Sequence, residues 1–216
     1  MPYHAVLFDL DGTLANTLDD LADAMNWVLS QLHLPVHPVD SYRLKVGDGI
    51  SMLVRRSLPA SRADLLDAAS AMMRQRYGEH LFDKTGLYDG IADLLDALTG
   101  RHIKLAVLSN KPHPATVDVV SRLLGRWTFD AVRGVMENGP LKPDPAGALA
   151  IAAQLKIPPA EWLYVGDTNV DVRTARAAGM FAVGALWGFR DAAELSAAGA
   201  DVLISQPMEL LDLLKE

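Results

Sequence analysis

Short apolar runs alternate with amphipathic stretches along most of this chain. The first run covers residues 5–8, and polar residues follow it at once, as is typical of a short buried strand. From Gly86 onward, further apolar runs predict strands, and the stretches between them predict helices. The predicted strands are 103–108, 129–132, 162–165, 181–185 and 202–204, and the predicted helices lie near 90–99, 113–124, 145–155, 169–178 and 206–214. Because strands alternate with helices, we expect an α/β fold with a doubly wound, Rossmann-like parallel sheet.

The residues between the first strand and position 82 indicate helices alone. Thr17 is a residue type that often caps a helix N-terminus, and acidic residues follow it where the helix dipole favours negative charge. Apolar positions at helical spacing predict helices over 17–32, 50–58 and 65–77. We therefore predict an α/β core made of residues 1–15 and 83–216, with an all-helical cap of residues 16–82 inserted after strand 1.

Composition and charge narrow the classes of function. Half of the 216 residues are hydrophobic and 22% are charged, an ordinary globular composition for a chain that can bury a sizeable core. The formal net charge is −7 and no basic cluster is longer than Arg55-Arg56, which argues against a nucleic-acid surface. Cysteine is absent, so disulfides and thiolate metal sites are impossible. No apolar stretch has the length of a signal peptide or a membrane span, so we expect a cytoplasmic monomer or homodimer without membrane partners.

Four polar groups stand at the ends of predicted strands or in the loops beyond them. They are Asp9 with Asp11, Ser109 with Asn110, Lys142, and Asp167 with Asp171. Ligands of open α/β sheets bind beyond the carboxyl ends of the strands, so adjacent parallel strands would bring these groups into one crevice. The spacing of Asp9 and Asp11 is common on its own, and the three later groups give it weight.

The carboxylates indicate a magnesium site. Without cysteine or clustered histidine, the available ligands are hard oxygens, which suit Mg²⁺ held by one or two carboxylates and by substrate phosphate oxygens. If Asp9 attacks a phosphate monoester, carboxylate and phosphate dianion repel by about 8 kcal/mol at about 4 Å and an effective dielectric of about 20. A divalent cation that bridges both groups reverses the sign of the local field, and Lys142 adds further positive charge.

The other polar groups suit phosphoryl transfer, which needs mainly positioning and charge neutralisation. The hydroxyl of Ser109 and the amide of Asn110 could hold the phosphate oxygens in line. Asp11, which we expect to be crowded by other negative charge, would protonate the leaving oxygen and then activate the water that hydrolyses an aspartyl-phosphate on Asp9. The predicted catalytic residues are therefore Asp9, Asp11 and Lys142, and the predicted substrate-binding residues are Ser109, Asn110 and Lys142.

Four motifs carry a resemblance to a known family. Asp9-Leu10-Asp11-Gly12-Thr13, Ser109-Asn110, Lys142-Pro143-Asp144 and Gly166-Asp167-x-x-x-Asp171 resemble, in order, the motifs of the haloacid dehalogenase-like hydrolase superfamily. The resemblance covers nearly the whole chain, and the helical insertion resembles that superfamily's helical cap. It implies that Mg²⁺ is held by the Asp9 carboxylate, the Asp11 backbone carbonyl and Asp167, with Asp171 acting through water or Lys142.

Finer features resemble the phosphoglycolate phosphatase branch of that superfamily. They are Val46-Gly47-Asp48-Gly49 before a helix ending in Arg55-Arg56, then Tyr88-x-Gly90, Ser109-Asn110-Lys111-Pro112, Ala175-x-x-Ala178-Gly179-Met180 and Trp187-Gly188-Phe189. This likeness implies a phosphoric monoester hydrolase, with 2-phosphoglycolate as the leading substrate. Arg55 and Arg56 are weak candidates for binding a substrate carboxylate. Asp48 places a negative charge in a loop that we expect to face the substrate.

Other functions use the same residue types. A pyrophosphatase, nucleotidase or sugar-phosphate mutase of the same superfamily stays open, because retaining and re-donating the phosphoryl group needs the same residues. A phospho-accepting signalling module also combines acids, a hydroxyl, a lysine and magnesium on a doubly wound sheet. Such modules accept phosphate on a middle strand and lack an inserted helical cap, so the position of Asp9 on the first strand favours the hydrolase.

Overall fold

A six-stranded parallel sheet forms the centre of the molecule. A computed structural model describes residues 3–137 and 139–214. Its strands are β1 (Ala5–Phe8), β2 (Ala15–Asn16), β3 (Gly86–Leu87), β4 (Lys104–Pro112), β5 (Ala131–Val135), β6 (Trp162–Gly166), β7 (Phe181–Ala185) and β8 (Val202–Ile204). The large sheet has the order β5-β4-β1-β6-β7-β8 with every neighbour parallel. The predicted α/β fold class is confirmed.

β1 lies inside this sheet, between β4 and β6. Its register pairs Phe8 with Val107 of β4 and Val165 of β6, so the residues after these positions leave the sheet at the same edge. All of β1 is buried, and Val6 and Phe8 belong to a different apolar cluster from Leu7, because alternate side chains point to opposite faces. Burial on both faces is typical of a parallel sheet that is covered by helices.

Three helices lie between β2 and β3 in the chain, where the sequence predicts helices alone. They are α1 (Leu18–Gln31), α2 (Ile50–Ser57) and α3 (Leu66–Glu79), joined through 3-10 turns at Val39–Leu44 and Ala60–Leu65. Both α1 and α2 pack on α3, and all three share an apolar core with Phe8 of β1. Thr17 precedes α1 as predicted, but its predicted cap is wrong. Its backbone lies outside the usual N-cap conformation, and its buried hydroxyl has no hydrogen-bond partner within the described ranges.

Further helices cover both faces of the large sheet. One face carries α4 (Ile91–Gly100) and α5 (His113–Leu123), and the other carries α6 (Ala146–Leu155), α7 (Asn169–Ala178) and α8 (Ala192–Ala198). α8 has no counterpart among the predicted helices, although Asp191 caps its start and Gly199 ends it with φ 95°. The predicted helix at 206–214 is a 3-10 helix over Pro207–Leu214, the tighter form common in short pieces. None of the described helices has the length and apolar character needed to cross a membrane.

β5 begins later than the predicted 129–132. Asp130, just before it, is tied to β4 through Lys104 Nζ at 2.6 Å and the Leu105 backbone N–H at 3.1 Å. Arg133 interrupts the apolar run that the prediction followed, yet it pairs with Leu108 of β4. Backbone pairing with β4 therefore sets the bounds of β5 and overrides the apolar pattern.

A small antiparallel ribbon leads into and out of the helical stretch, which is the part of the chain that contains α1, α2 and α3. β2 pairs with β3 through Ala15 opposite Leu87 and Asn16 opposite Gly86. The buried Asp20 carboxylate accepts hydrogen bonds from the backbone N–H groups of residues 84 and 85, at 3.0 and 2.9 Å. The chain therefore leaves the sheet after β1 and returns close to the same place.

Candidate active site

The ends of β1, β4 and β6 bring most of the predicted site residues together. The Asp9 backbone N–H donates to the carbonyl of Val165, which holds Asp9 at the edge of the sheet. Lys142 Nζ lies 2.6 Å from Asp9 Oδ1 and 2.7 Å from Asp171 Oδ1, and it also donates to the Leu108 carbonyl at 3.2 Å. These three charged side chains are buried. A lysine between two carboxylates is therefore the centre of the arrangement.

Three buried carboxylates form a group that fits a metal ion. Oxygen atoms of Asp9, Asp167 and Asp171 lie within 4.8 Å of one another. Asp167 is fixed by the Thr13 hydroxyl at 3.1 Å and the Phe189 backbone N–H at 2.7 Å. Because all of these ligand atoms are carboxylate oxygens, the group suits a hard cation such as Mg²⁺.

Two glycines leave room for Asp167. Gly12 has φ +98°, and a Cβ built there would lie 2.3 Å from Asp167 Oδ2. A Cβ built at Gly188 would lie 2.2 Å from Asp167 Cβ. The loop after β1 and the loop after β7 therefore close tightly around this carboxylate, and a side chain at either glycine would displace it.

Burial dominates the electrostatics of the carboxylates. It raises the pKa of Asp167 to about 7, and the charge of Asp171 adds to the effect. Burial and Asp171 also raise the pKa of Asp9 well above its usual range, although Lys142 opposes them. For Lys142 burial lowers the pKa, but Asp171 and Asp9 outweigh it and the pKa rises. Three acids around one ammonium leave an excess of negative charge that a divalent cation would neutralise.

The Asn110 side chain forms hydrogen bonds with residues that lie far from it in the sequence. Its side-chain oxygen accepts the Lys142 backbone N–H at 2.8 Å, and its Nδ2 donates to the carbonyls of Lys142 at 3.1 Å and Gly47 at 3.0 Å. Both side-chain donors of Asn110 are thus engaged within the protein. The Ser109 hydroxyl lies beside Asn110 and accepts the backbone N–H of residue 111 at 3.2 Å.

Lys111 is the main site residue without a predicted role. Its Nζ lies 2.9 Å from Asp11 Oδ1 and 2.7 Å from the hydroxyl of Tyr77, which comes from α3. Burial lowers the pKa of Lys111, but Asp11 and Tyr77 raise it further, and the net shift is upward. The expected crowding of Asp11 by other acids is therefore wrong, because its charged partner is a cation. In the sequence, the run Ser109-Asn110-Lys111-Pro112 draws attention to Lys111, but it does not indicate that Asp11 is the partner of this lysine.

The helical stretch supplies an apolar wall above these charged groups. The cavity over Asp9 and Asp11 is lined on that side by Leu21, Val46, Ile50, Leu53 and Tyr77. Asp48 pairs with Arg56 at 2.5 Å, and within the described ranges neither residue lines the cavity, nor does the exposed Arg55. The loop that carries Asp48 lines the cavity as expected, through Val46, Gly47 and Gly49, but the charge of Asp48 itself is turned toward Arg56.

Comparisons with known proteins agree with this geometry. The haloacid dehalogenase-like hydrolase family model matches residues 6–185. A phosphoglycolate phosphatase of Chromobacterium violaceum is 38% identical over 98% of this chain and 96% of its own length. One of Nitrosospira multiformis is 31% identical over 100% of this chain and 97% of its own length. A crystal structure from Lactobacillus delbrueckii subsp. bulgaricus, assigned as a phosphoglycolate phosphatase only by prediction, has a TM-score of 0.93 and 28% identity over 99% of both chains.

The fold and the acid-rich crevice define a hydrolase built on a doubly wound sheet. The chain belongs to the haloacid dehalogenase-like hydrolase family. The predicted resemblance to its phosphoglycolate phosphatase branch is confirmed by relatives that match over almost the whole chain. Phosphoric monoester hydrolysis is the activity that these relatives support.

Proposed function

We propose that this hydrolase is a magnesium-dependent phosphatase for small phosphate monoesters, with Asp9 as the nucleophile. The observation that carries the proposal is the Asp9 carboxylate, which is buried beside Lys142 and two further acids at the floor of a cavity. Membership of the hydrolase family and the helical insertion favour this function over a phospho-accepting signalling module. The roles of the individual residues are part of the proposal.

The proposed metal site uses the Asp9 and Asp167 carboxylates together with the backbone carbonyl of Asp11. When bound, Mg²⁺ supplies the positive charge that offsets the repulsion between the Asp9 carboxylate and the phosphate dianion. Asp171 contributes through Lys142, which it holds at 2.7 Å. The fit rests on the buried oxygen ligands and on the fixed position of Asp167.

The proposed reaction has two steps. An Asp9 oxygen forms a bond to phosphorus while the ester P–O bond breaks, and Asp11 gives its proton to the departing oxygen. Water then attacks the phosphorus of the aspartyl-phosphate, Asp11 takes the proton of that water, and the Asp9 carboxylate is released. Lys142 holds Asp9, and the Ser109 hydroxyl and the Asn110 backbone N–H bind phosphate oxygens.

We propose 2-phosphoglycolate as the substrate. The names of the relatives from Chromobacterium violaceum and Nitrosospira multiformis support this choice, and both match across nearly their whole length. A cavity roofed by Val46, Ile50 and Leu53 suits a small ester. In this proposal residues 16–82 form a cap that excludes water from the crevice of the core, made of residues 1–15 and 83–216. A cytoplasmic location and a monomeric or homodimeric state stay predictions.

A phosphate-release assay tests the proposed function. Purified protein with Mg²⁺ should release phosphate from 2-phosphoglycolate, and EDTA should abolish the release. Asp9→Asn keeps the size of the side chain but removes the nucleophilic carboxylate, so kcat should fall by at least about 1000-fold. Asp64→Asn, at an exposed acid, is the matched control and should keep full activity.

Two results would contradict the proposal. The first is the absence of phosphate release from every member of a panel of phosphorylated metabolites in the presence of Mg²⁺. The second is full activity in Asp9→Asn, which would remove Asp9 from the role of nucleophile. Transfer of the phosphoryl group to a second sugar instead of water would point to the mutase alternative.

A further inference from the structure

Lys111 is a buried cation that the proposed reaction does not use. Its Nζ donates to Asp11 Oδ1 and to the Tyr77 hydroxyl, and it lies 4.6 Å from the centre of the Tyr77 ring. Only 3% of the Lys111 side chain is exposed. An ammonium group is costly to bury unless it is paired and hydrogen-bonded, and these two partners provide that compensation.

The position of the Asp11 carboxylate matters for the proposed chemistry. Asp11 lines the same cavity as Asp9 and Ser109, on the loop that follows β1. A general acid must lie within hydrogen-bond reach of the oxygen that it protonates. A displacement of about 1 Å can reduce the rate by about 100-fold. The salt bridge from Lys111 is the contact that fixes the orientation of this carboxylate.

We propose that Lys111 is a positioning residue for Asp11, and that Tyr77 holds Lys111 in place. The inference rests on the proposed phosphatase function and assigns roles to two further residues of the same site. Lys111 holds Asp11 through one oxygen, Oδ1, and the other oxygen, Oδ2, carries the proton for the departing oxygen. Because Tyr77 belongs to α3, the orientation of the Asp11 carboxyl depends on how the helical stretch packs against the sheet.

The leaving group of the substrate provides a selective readout. When the ester bond breaks, an alkyl alkoxide needs the proton of Asp11, whereas p-nitrophenolate is stable enough to leave without it. A displaced Asp11 therefore slows the cleavage of an alkyl phosphate more than that of p-nitrophenyl phosphate. The readout is kcat/KM, because hydrolysis of the phosphoenzyme is common to both substrates and lies after the departure of the leaving group.

The central experiment compares propyl phosphate with p-nitrophenyl phosphate. Lys111→Met should lower kcat/KM by about 100-fold on propyl phosphate but by no more than about 3-fold on p-nitrophenyl phosphate. Tyr77→Phe keeps the ring and removes the hydroxyl, so it should show the same selectivity with a loss of about 3-fold. Lys104→Met is the matched control on β4, since Lys104 pairs with Asp130 near the surface, and it should leave the ratio unchanged.

A second measurement asks whether Lys111 acts through Asp11. In an Asp11→Asn background, Lys111→Met should cost less than about 2-fold on propyl phosphate, because the group that it positions is already gone. Losses that multiply in the double variant would show independent roles and overturn the proposal.

The remaining outcomes are also decisive. Equal loss on both esters would show a purely structural lysine, and a KM increase confined to 2-phosphoglycolate would show a direct substrate contact; either overturns the inference. Should Lys111→Met fail to fold, Tyr77→Phe carries the test. A wild-type protein without phosphatase activity overturns the proposed function and the inference together. If the wild type is active and Asp9→Asn is inactive, the proposed function stands, and a negative result for Lys111→Met then overturns only the inference about Lys111.

Discussion

Asp171 serves the fold and the candidate site with the same carboxylate. Its Oδ2 accepts the backbone N–H and the hydroxyl of Thr168, at 3.1 and 2.6 Å, in a capping box that begins α7. Its Oδ1 accepts Lys142 Nζ at 2.7 Å. The first turn of α7 therefore fixes the lysine that contacts Asp9, and the site is only as rigid as this helix start.

Asp167 contributes to the way the stability of the metal-free protein should respond to pH. Burial, with Asp171, raises its pKa to about 7 in the folded state, above the ordinary aspartate value of 3.8. Between these values the folded state keeps a proton that the unfolded state has released, so the free energy of unfolding falls as pH rises. With EDTA present we expect Tm to fall between about pH 5 and about pH 8, by about 2–4 °C for each kcal/mol lost.

Thermal unfolding followed by circular dichroism checks this prediction. Mg²⁺ should restore Tm near pH 8, because a cation that binds only the folded state stabilises it. Asp167→Asn removes the titrating group, and its Tm should depend less on pH than that of the wild type. A metal-free Tm that rises across this range would contradict the assigned sign.

At the scale of elements, apolar runs predict strands well where the strand is apolar throughout. β1, β7 and β8 have the predicted bounds, and β6 differs by one residue. β4 continues past Leu108 to Pro112, because the backbone stays extended where the site residues are polar. The four motifs are recognisable in the sequence because each is a short local run. The contact between Lys111 and Asp11 joins residues 100 positions apart and depends on packing, which no local pattern records.

Asp20 should stabilise the return from the helical stretch to the sheet. This buried carboxylate accepts the backbone N–H groups of Lys84 and Thr85 and the Thr85 hydroxyl, just before β3. Asp20→Ala leaves these donors without their acceptor and should lower the free energy of unfolding by about 1–3 kcal/mol. Asp23→Ala is the matched control, since it breaks an exposed pair with Lys84 and should change the free energy of unfolding by less than about 1 kcal/mol. Urea unfolding measures both, and equal effects would refute a special role for Asp20.

At the scale of the whole molecule, the loop after β7 joins the helical stretch to the carboxylate group. Arg43 Nη1 donates to the Gly188 carbonyl at 2.7 Å, and Arg190 Nη2 donates to the Val46 carbonyl at 2.9 Å. Arg190 also donates to the carbonyl of Arg43. Between these contacts, the backbone N–H of Phe189 donates to Asp167 at 2.7 Å. The position of residues 43–46 and the orientation of the Asp167 side chain therefore depend on the same short loop.

This connection predicts that Arg190 affects the metal requirement without touching the proposed metal ligands. Arg190→Met removes two of the three hydrogen bonds described between the loop and residues 43–46, so we expect the Mg²⁺ concentration for half-maximal activity to rise by about 10-fold. Arg176→Met, which breaks an exposed pair with Asp201, is the matched control and should leave the Mg²⁺ dependence unchanged. The measurement is phosphate release across a Mg²⁺ series at saturating substrate. An unchanged Mg²⁺ dependence in Arg190→Met would contradict a link between residues 43–46 and the orientation of Asp167.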